Sequence, residues 1–244
     1  MKAYTLRVIF LKKLWLLIIP LIICSLILQS SVNYKNEIVA TTVDGGKGSL
    51  PTIIIDAGHG GFDGGTQASD GTVEKDINLR IALYLNDFLQ TFGYETVLTR
   101  DSDESLEDEN LKTIREKKKS DIYNRFDLME STENAIFVSI HQNHYPVEKY
   151  HGTQVFYSPE QAEDSSKLAQ SIQEAVIELL QNDNDRQIKK CGTSVYLIYN
   201  AVKPAVLVEC GFMSNTEEAE LLKTQDYQKK IAFCIAVGIQ NYTL

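Results

Sequence analysis

Short runs rich in β-branched and aromatic residues alternate along this chain with longer stretches whose apolar residues recur at every third and fourth position. The runs fall at 52–56, 95–99 ("ETVLT"), 135–140 ("AIFVSI"), 153–157 ("TQVFY"), 194–199 ("SVYLIY") and 205–210 ("AVLVEC"), and their length and composition predict strands. Between them Ile77, Ile81, Tyr84, Leu85, Phe88, Leu89 and Phe92 mark one helical face, with Gly93 where a C-terminal cap belongs. A second helix is expected over 162–181, through Leu168, Ile172, Ala175, Val176, Leu179 and Leu180. A third is expected in "SNTEEAELL", capped by Ser214 or Asn215, and a last over 226–241, burying Ile231, Ile235 and Ile239. Strands that alternate with helices specify an α/β layer fold with a largely parallel central sheet. The first run, "IIIDAGHGG", carries three successive isoleucines, which ask for burial on both faces of that sheet.

The first thirty residues obey a different rule. "MKAYTLRVIFLKK" holds four cations and no acid, and residues 14–28 are apolar except for Ser25. This is the layout of an export signal, or of a membrane anchor with its basic flank on the cytoplasmic side. No small-x-small cleavage site follows, and Ile23 stands where a lipoprotein signal needs a small residue before Cys24, which favours the anchor. Residues 31–50, with a Gly-Lys-Gly run, read as a tether, and 51–244 as the folded domain outside the membrane. Subtracting the four N-terminal cations leaves 20 Lys and Arg against all 33 acids, a net of −13 for residues 31–244. So acidic a domain is not built for nucleic acid. Outside the apolar segment three cysteines remain, Cys191, Cys210 and Cys234, an odd number at irregular spacing that argues against a disulfide framework.

The stretch 101–125, "DSDESLEDENLKTIREKKKSDIYNR", begins acidic and turns basic at "REKKK". It reads as a solvated, partly helical excursion, or as a surface for a partner or an anionic polymer.

Three strands end in chemistry. "IIIDAGHGG" delivers His59, "FVSIHQNH" delivers His141 and "AVLVECG" delivers Glu209. Residues just beyond the carboxyl ends of strands line the ligand crevice of open α/β sheets. Glu74, in "TVEKDINL", opens the helix that follows the first strand, so it begins at the same edge. Singly, each has a plain alternative: a dipole partner for Glu74, a satisfied polar group for a strand-end histidine. Together, two imidazoles and a carboxylate are a catalytic zinc set, and a second carboxylate can serve as general base. The glycines around His59 would let a bulky substrate approach closely.

These segments resemble the zinc-dependent N-acetylmuramoyl-L-alanine amidases of the bacterial cell wall. The resemblance runs over about 52–241 and rests on "IIIDAGHGGFDGG", the Glu of "TVEKDINL", "VLTRDSD", "FVSIHQN" and "PAVLVECGFMSN", in order. It implies a three-layer α/β/α fold with a mostly parallel central sheet, phosphorylase/hydrolase-like, and one zinc ion held by His59, Glu74 and His141, with Glu209 as the catalytic carboxylate and Asp56 outside the ligand set. It implies hydrolysis of the amide between the lactyl group of N-acetylmuramic acid and L-alanine in peptidoglycan. With one anchor, no wall-binding repeats and the charged insertion, the chain is most similar to the spore-cortex amidases, whose reaction leads toward muramic-δ-lactam. An accessory protein is a possible partner.

Two rivals stand beside this reading: a zinc peptidase or carboxypeptidase acting on stem peptides, and an inactive wall-binding or regulatory protein on the same fold. The presence of all four polar residues weighs against the second. His144 is read as a loop or substrate contact, His151 as a strand-start residue, and Cys210 as a buried structural thiol, because alternation turns it away from the Glu209 face.

Overall fold

The computed structural model describes residues 49–244. The export or anchor segment read at 1–30, and all but the end of the 31–50 tether, lie outside these residues. No helix among the described residues is long and apolar enough to cross a membrane.

Strand β1 (Thr52–Ala57) carries the three isoleucines, and each is completely buried. Because successive side chains point to opposite faces, Ile53 and Ile55 join one core cluster and Ile54 another. Each buried isoleucine contributes about 1.5–3 kcal/mol, so β1 is the middle layer of the fold. The first cluster is closed by helices α1 (Glu74–Thr91), α3 (Ala162–Leu179) and α6 (Gln225–Thr243), through Ile77, Ile81, Leu168, Ile172, Ile231 and Ile235. The second, smaller cluster lies under α2 (Ile114–Ser131) and the single turn α4 (Tyr196–Tyr199), through Met129 and Ile198. Helix α5 (Thr216–Leu222) follows the last strand and is capped by Asn215, whose side chain accepts from the Glu218 N–H.

With β2 (Thr96–Leu98), β3 (Ala135–Asn143), β4 (Gln154–Tyr157), β5 (Lys189–Lys190) and β6 (Ala205–Phe212), the sheet order is β2-β1-β3-β6-β4-β5. Strands β1, β2, β3 and β6 are parallel, whereas β4 runs antiparallel to β6 and carries β5 with it. The sheet is therefore mixed. Only a helix-free loop joins β3 to β4, and a parallel return needs a longer crossover.

One expectation fails in an instructive way. "SVYLIY" is not a strand: Val195, Leu197, Ile198 and Ala201 pack on the outer face of the sheet from the turn α4. The sixth strand is instead the exposed pair Lys189–Lys190, whose charge suits an edge and hides it from a hydrophobic search. The partly helical reading of 101–125 holds from Ile114 on, but α2 shows no apolar face to periodicity because its buried positions are Arg125 and Met129. Its start is a capping box between Thr113 and Glu116.

Candidate metal centre and active site

The carboxyl ends of β1, β3 and β6 lie at one edge of the sheet, and α1 begins there. His141 on β3 is the register partner of Glu209 on β6, so the two side chains stand on the same face one strand apart. His59 follows β1 by two residues. These placements bring His59, Glu74 and His141 together, with one ligand atom from each lying within 4.8 Å of the others.

Glu74 is the hub. It is 3% exposed; its Oε1 lies 3.0 Å from His141 Nδ1 and accepts from the Gln142 N–H at 3.1 Å and Asn78 Nδ2 at 3.2 Å. Oε2 accepts from the Thr66 N–H at 2.8 Å and faces His59 Nε2 at 3.3 Å. Burial alone would raise its pKa, but hydrogen bonds and charge from His141 and His59 hold it well below the ordinary carboxylate range. For His59 burial pulls the other way, yet Asp63 and Glu74 raise its pKa to about 9. Asp63 Oδ2 sits 3.0 Å from His59 Nδ1, and its Oδ1 accepts from Lys118 Nζ at 3.0 Å. A carboxylate behind an imidazole in this way fixes ring orientation and tautomer.

The glycines serve a purpose other than the expected one. A Cβ at Gly58 would lie 2.2 Å from His141 Nε2, and one at Gly65, where φ is +71°, would lie 2.6 Å from Glu74 Oε2. The space is taken by the protein's own side chains and not kept for substrate.

His59 itself has φ +62°, a left-handed conformation that persists only where its surroundings over-determine it. Two arginines do so. Arg100 Nε and Arg125 Nη2 both donate to the His59 carbonyl at 2.8 Å. Arg125 Nη1 also donates to Asp56 Oδ1 at 2.6 Å and to the Ala57 carbonyl at 3.0 Å, while Nε and Nη2 hold Asp121. Burial opposes the charge on Arg125, and Asp56 and Asp121 more than offset it. Asp56, 1% exposed, is thus a foundation under the site; it also accepts from Ser139 Oγ and Thr99 Oγ1.

Glu209 differs from Glu74. Its Oε2 is buried with no hydrogen-bond partner, and desolvation pushes its pKa up to about 7 despite His141. Beside the triad, between α2 and α4, lies a cavity of about 250 Å³ bounded by His59, His141, Arg125, Ile122, Val195 and Tyr196.

All four residues singled out in the sequence therefore lie at one edge, three of them clustered. Exposed His144 and His151 lie outside the cluster. Cys210 is buried and its thiol pKa is raised by that burial; Cys191, Cys210 and Cys234 are all free. Asp63, Asp121 and Arg125 were missed. Asp63 follows His59 by four residues within a glycine loop, which was the available signal; Asp121 and Arg125 sat unremarked in the charged insertion.

The chain matches the family model described as N-acetylmuramoyl-L-alanine amidase over residues 53–241. It is 38% identical over 190 residues to the germination-specific N-acetylmuramoyl-L-alanine amidase of Bacillus subtilis, covering 78% of each chain. Among solved structures it is similar to the CwlD amidase from Clostridioides difficile, in complex with the GerS lipoprotein. That match has 42% identity and a TM-score of 0.75, over 79% of this chain and 98% of that one. It is also similar to the N-acetylmuramoyl-L-alanine amidase AmiC2 of Nostoc punctiforme, at 27% identity and TM-score 0.66, over 80% and 98% of the two chains.

Proposed function

This chain belongs to the N-acetylmuramoyl-L-alanine amidase family, and from that premise we propose how its residues divide the work. The reaction is hydrolysis of the amide between the lactyl group of N-acetylmuramic acid and L-alanine in peptidoglycan. His59, Glu74 and His141 hold one zinc ion, and Glu209 is the general base and acid.

The donor set supports zinc: two imidazole nitrogens and a carboxylate oxygen converge, the number and kind a catalytic zinc takes from protein. When bound, the ion supplies Lewis-acid polarisation of the scissile carbonyl and acidifies water. The single observation that carries the Glu209 assignment is its buried, unpartnered Oε2 with a pKa near 7, since a base tuned to the operating pH both accepts and returns a proton efficiently. Glu209 takes the proton of the attacking water as its oxygen bonds to the carbonyl carbon, then delivers it to the nitrogen as the C–N bond breaks. Asp63 keeps His59 oriented, and the Arg100–Arg125 pair keeps the His59 backbone in place.

The relatives support the setting. The Bacillus subtilis relative is named germination-specific, and we place this enzyme in the spore cortex, on the route toward muramic-δ-lactam. Residues 1–30 export or anchor it, 31–50 tether it and 51–244 are the zinc amidase domain outside the membrane. An extracytoplasmic accessory protein is a reasonable partner, given the lipoprotein bound to the Clostridioides difficile relative.

Digestion of purified cortex and vegetative peptidoglycan, with and without added zinc, followed by mass analysis of the muropeptides, tests this reading. New L-alanine amino termini are expected. Release of a terminal amino acid would make the enzyme a carboxypeptidase, and no cleavage of either wall with zinc present would overturn the reading.

A further inference from the structure

On the side of Glu209 away from His141 lies a second groove, of about 260 Å³, bounded by Tyr145, Tyr150, Gln154, Phe156, Arg186 and Lys189. Its lining includes Asn143 and Phe212, the last residues of β3 and β6, so it opens at the same edge of the sheet as the triad. Gln154 on β4 is the register partner of Glu209, as His141 is on β3, so His141, Glu209 and Gln154 form one row across three strands. Phe156, two residues along β4, pairs with Lys189 on β5.

Arg186 is fixed in this groove. Its Nε donates to the His151 carbonyl at 2.6 Å and its Nη1 to Gln154 Oε1 at 3.1 Å. The guanidinium lies 4.4 Å from the centre of the Phe212 ring. Among the described residues Nη2 has no hydrogen-bond partner, and neither Arg186 nor Lys189 forms an ion pair. The buried carboxylate nearby, Glu218, accepts from the N–H groups of Gly152 and Phe212 and feels the Arg186 charge without forming an ion pair with it. In a domain with so large an acidic excess, an immobilised arginine with a free N–H face and an adjacent lysine is a receptor for an anion.

We infer that Arg186, aided by Lys189, binds a free carboxylate on the second residue of the departing stem peptide, and so sets which peptides the enzyme releases fastest. The inference rests on the amidase reading. Glu209 must reach the departing nitrogen, so the peptide lies on the Glu209 side of the triad, over β6 and β4. Neighbouring strands are about 4.8 Å apart, which places the arginine fork one strand and one hydrogen bond beyond Glu209. Two extended residues span about 7 Å, so a carboxylate on the second residue falls at the fork. The group selected is therefore a free carboxylate on that residue, against one neutralised as an amide.

The test compares two soluble muropeptides that differ only in that group, free acid against amide. The wild type should favour the free acid in kcat/KM by about tenfold, the scale of a charge-assisted hydrogen bond. Arg186→Met should bring the ratio to within about twofold of one, Arg186→Lys should keep part of the preference, and Lys189→Ala, at an exposed edge, should reduce it partly. A wild-type ratio near one, an unchanged ratio in Arg186→Met, or an equal loss on both substrates would overturn the subsite. The appearance of L-alanine amino termini from either substrate reports separately on the amidase reading. Should neither substrate be cleaved, calorimetric titration with L-alanyl-D-isoglutamate decides: binding to the wild type that is lost in Arg186→Met supports the subsite, and absence of binding to the wild type overturns it.

Discussion

Replacing Arg125 with methionine should cost about 3 kcal/mol of stability and loosen the metal site together. The side chain is 2% exposed and pairs at 2.6 Å with Asp56, which is 1% exposed. Removing one partner of such a pair leaves a buried charge, at a typical cost of about 3–5 kcal/mol. The low end applies because Asp56 keeps Ser139 Oγ at 2.5 Å and Thr99 Oγ1 at 2.9 Å. For a domain of this size that is a fall in Tm of roughly 6–12 °C. The carbonyls of Ala57 and His59 also lose a donor, and the left-handed His59 then relies on Arg100 alone. Zinc affinity, by chelator competition, should drop at least about tenfold, as for other lost outer contacts of metal ligands. Acidity supplies a check. Burial raises the Asp56 pKa, but Arg125 and Ser139 bring it below its ordinary value. A depressed folded pKa contributes stability that is fully present above the unfolded value near 3.9 and is lost as pH falls through the folded one. Chemical denaturation of the wild type should therefore show stability falling below about pH 4, and Arg125→Met should show a shallower fall. Asp56→Asn combined with Arg125→Met should be less destabilised than the sum of the singles by about 1–3 kcal/mol. A loss below about 1 kcal/mol in Arg125→Met, or strict additivity in the double variant, would refute the ion pair as the foundation of the site.

Glu209→Gln should keep fold and zinc but slow turnover at least about a hundredfold; loss of zinc would make Glu209 a ligand, and near-normal turnover would remove it from the mechanism. Because Glu209 must be ionised to accept a proton and burial raises its pKa to about 7, kcat/KM should fall as pH drops through that value, or through a lower one when bound zinc adds its charge. A profile flat from about pH 4 to 8 would contradict this. His59→Ala and His141→Ala should each sharply lower zinc content, and stoichiometric metal in both would rule out the ligand assignment. Gly58→Ala forces a Cβ to within 2.2 Å of His141 Nε2, so metal binding should weaken with little change in circular dichroism; unchanged zinc affinity would show that the ring shifts freely.

The strands that matter most could be read from sequence because their physics is local. Three adjacent isoleucines have no stable place except a strand covered on both sides, and a helix with apolar residues at three and four must lie on the sheet. From those elements the common edge followed, and with it His59, Glu74, His141 and Glu209. Apolar patterning failed where burial was polar or charge was structural. The inward side of α2 carries Arg125 paired with Asp121, and Met129 alone as an apolar contact, so a helix that underpins the metal site looked like a solvated insertion. The edge strand at Lys189–Lys190 pairs through its backbone, which side-chain hydropathy does not report. The reversal of β4 depended on the absence of a crossover helix. Above all, which of the two glutamates sits among the imidazoles is a matter of a few ångströms: Glu74 is ringed by donors and held ionised, while Glu209, one strand from His141, is desolvated with an oxygen unpartnered. A sequence specifies that both carboxylates reach the edge; only the packed structure sets the solvation of each, and solvation is what makes one fit for a cation and the other for a proton.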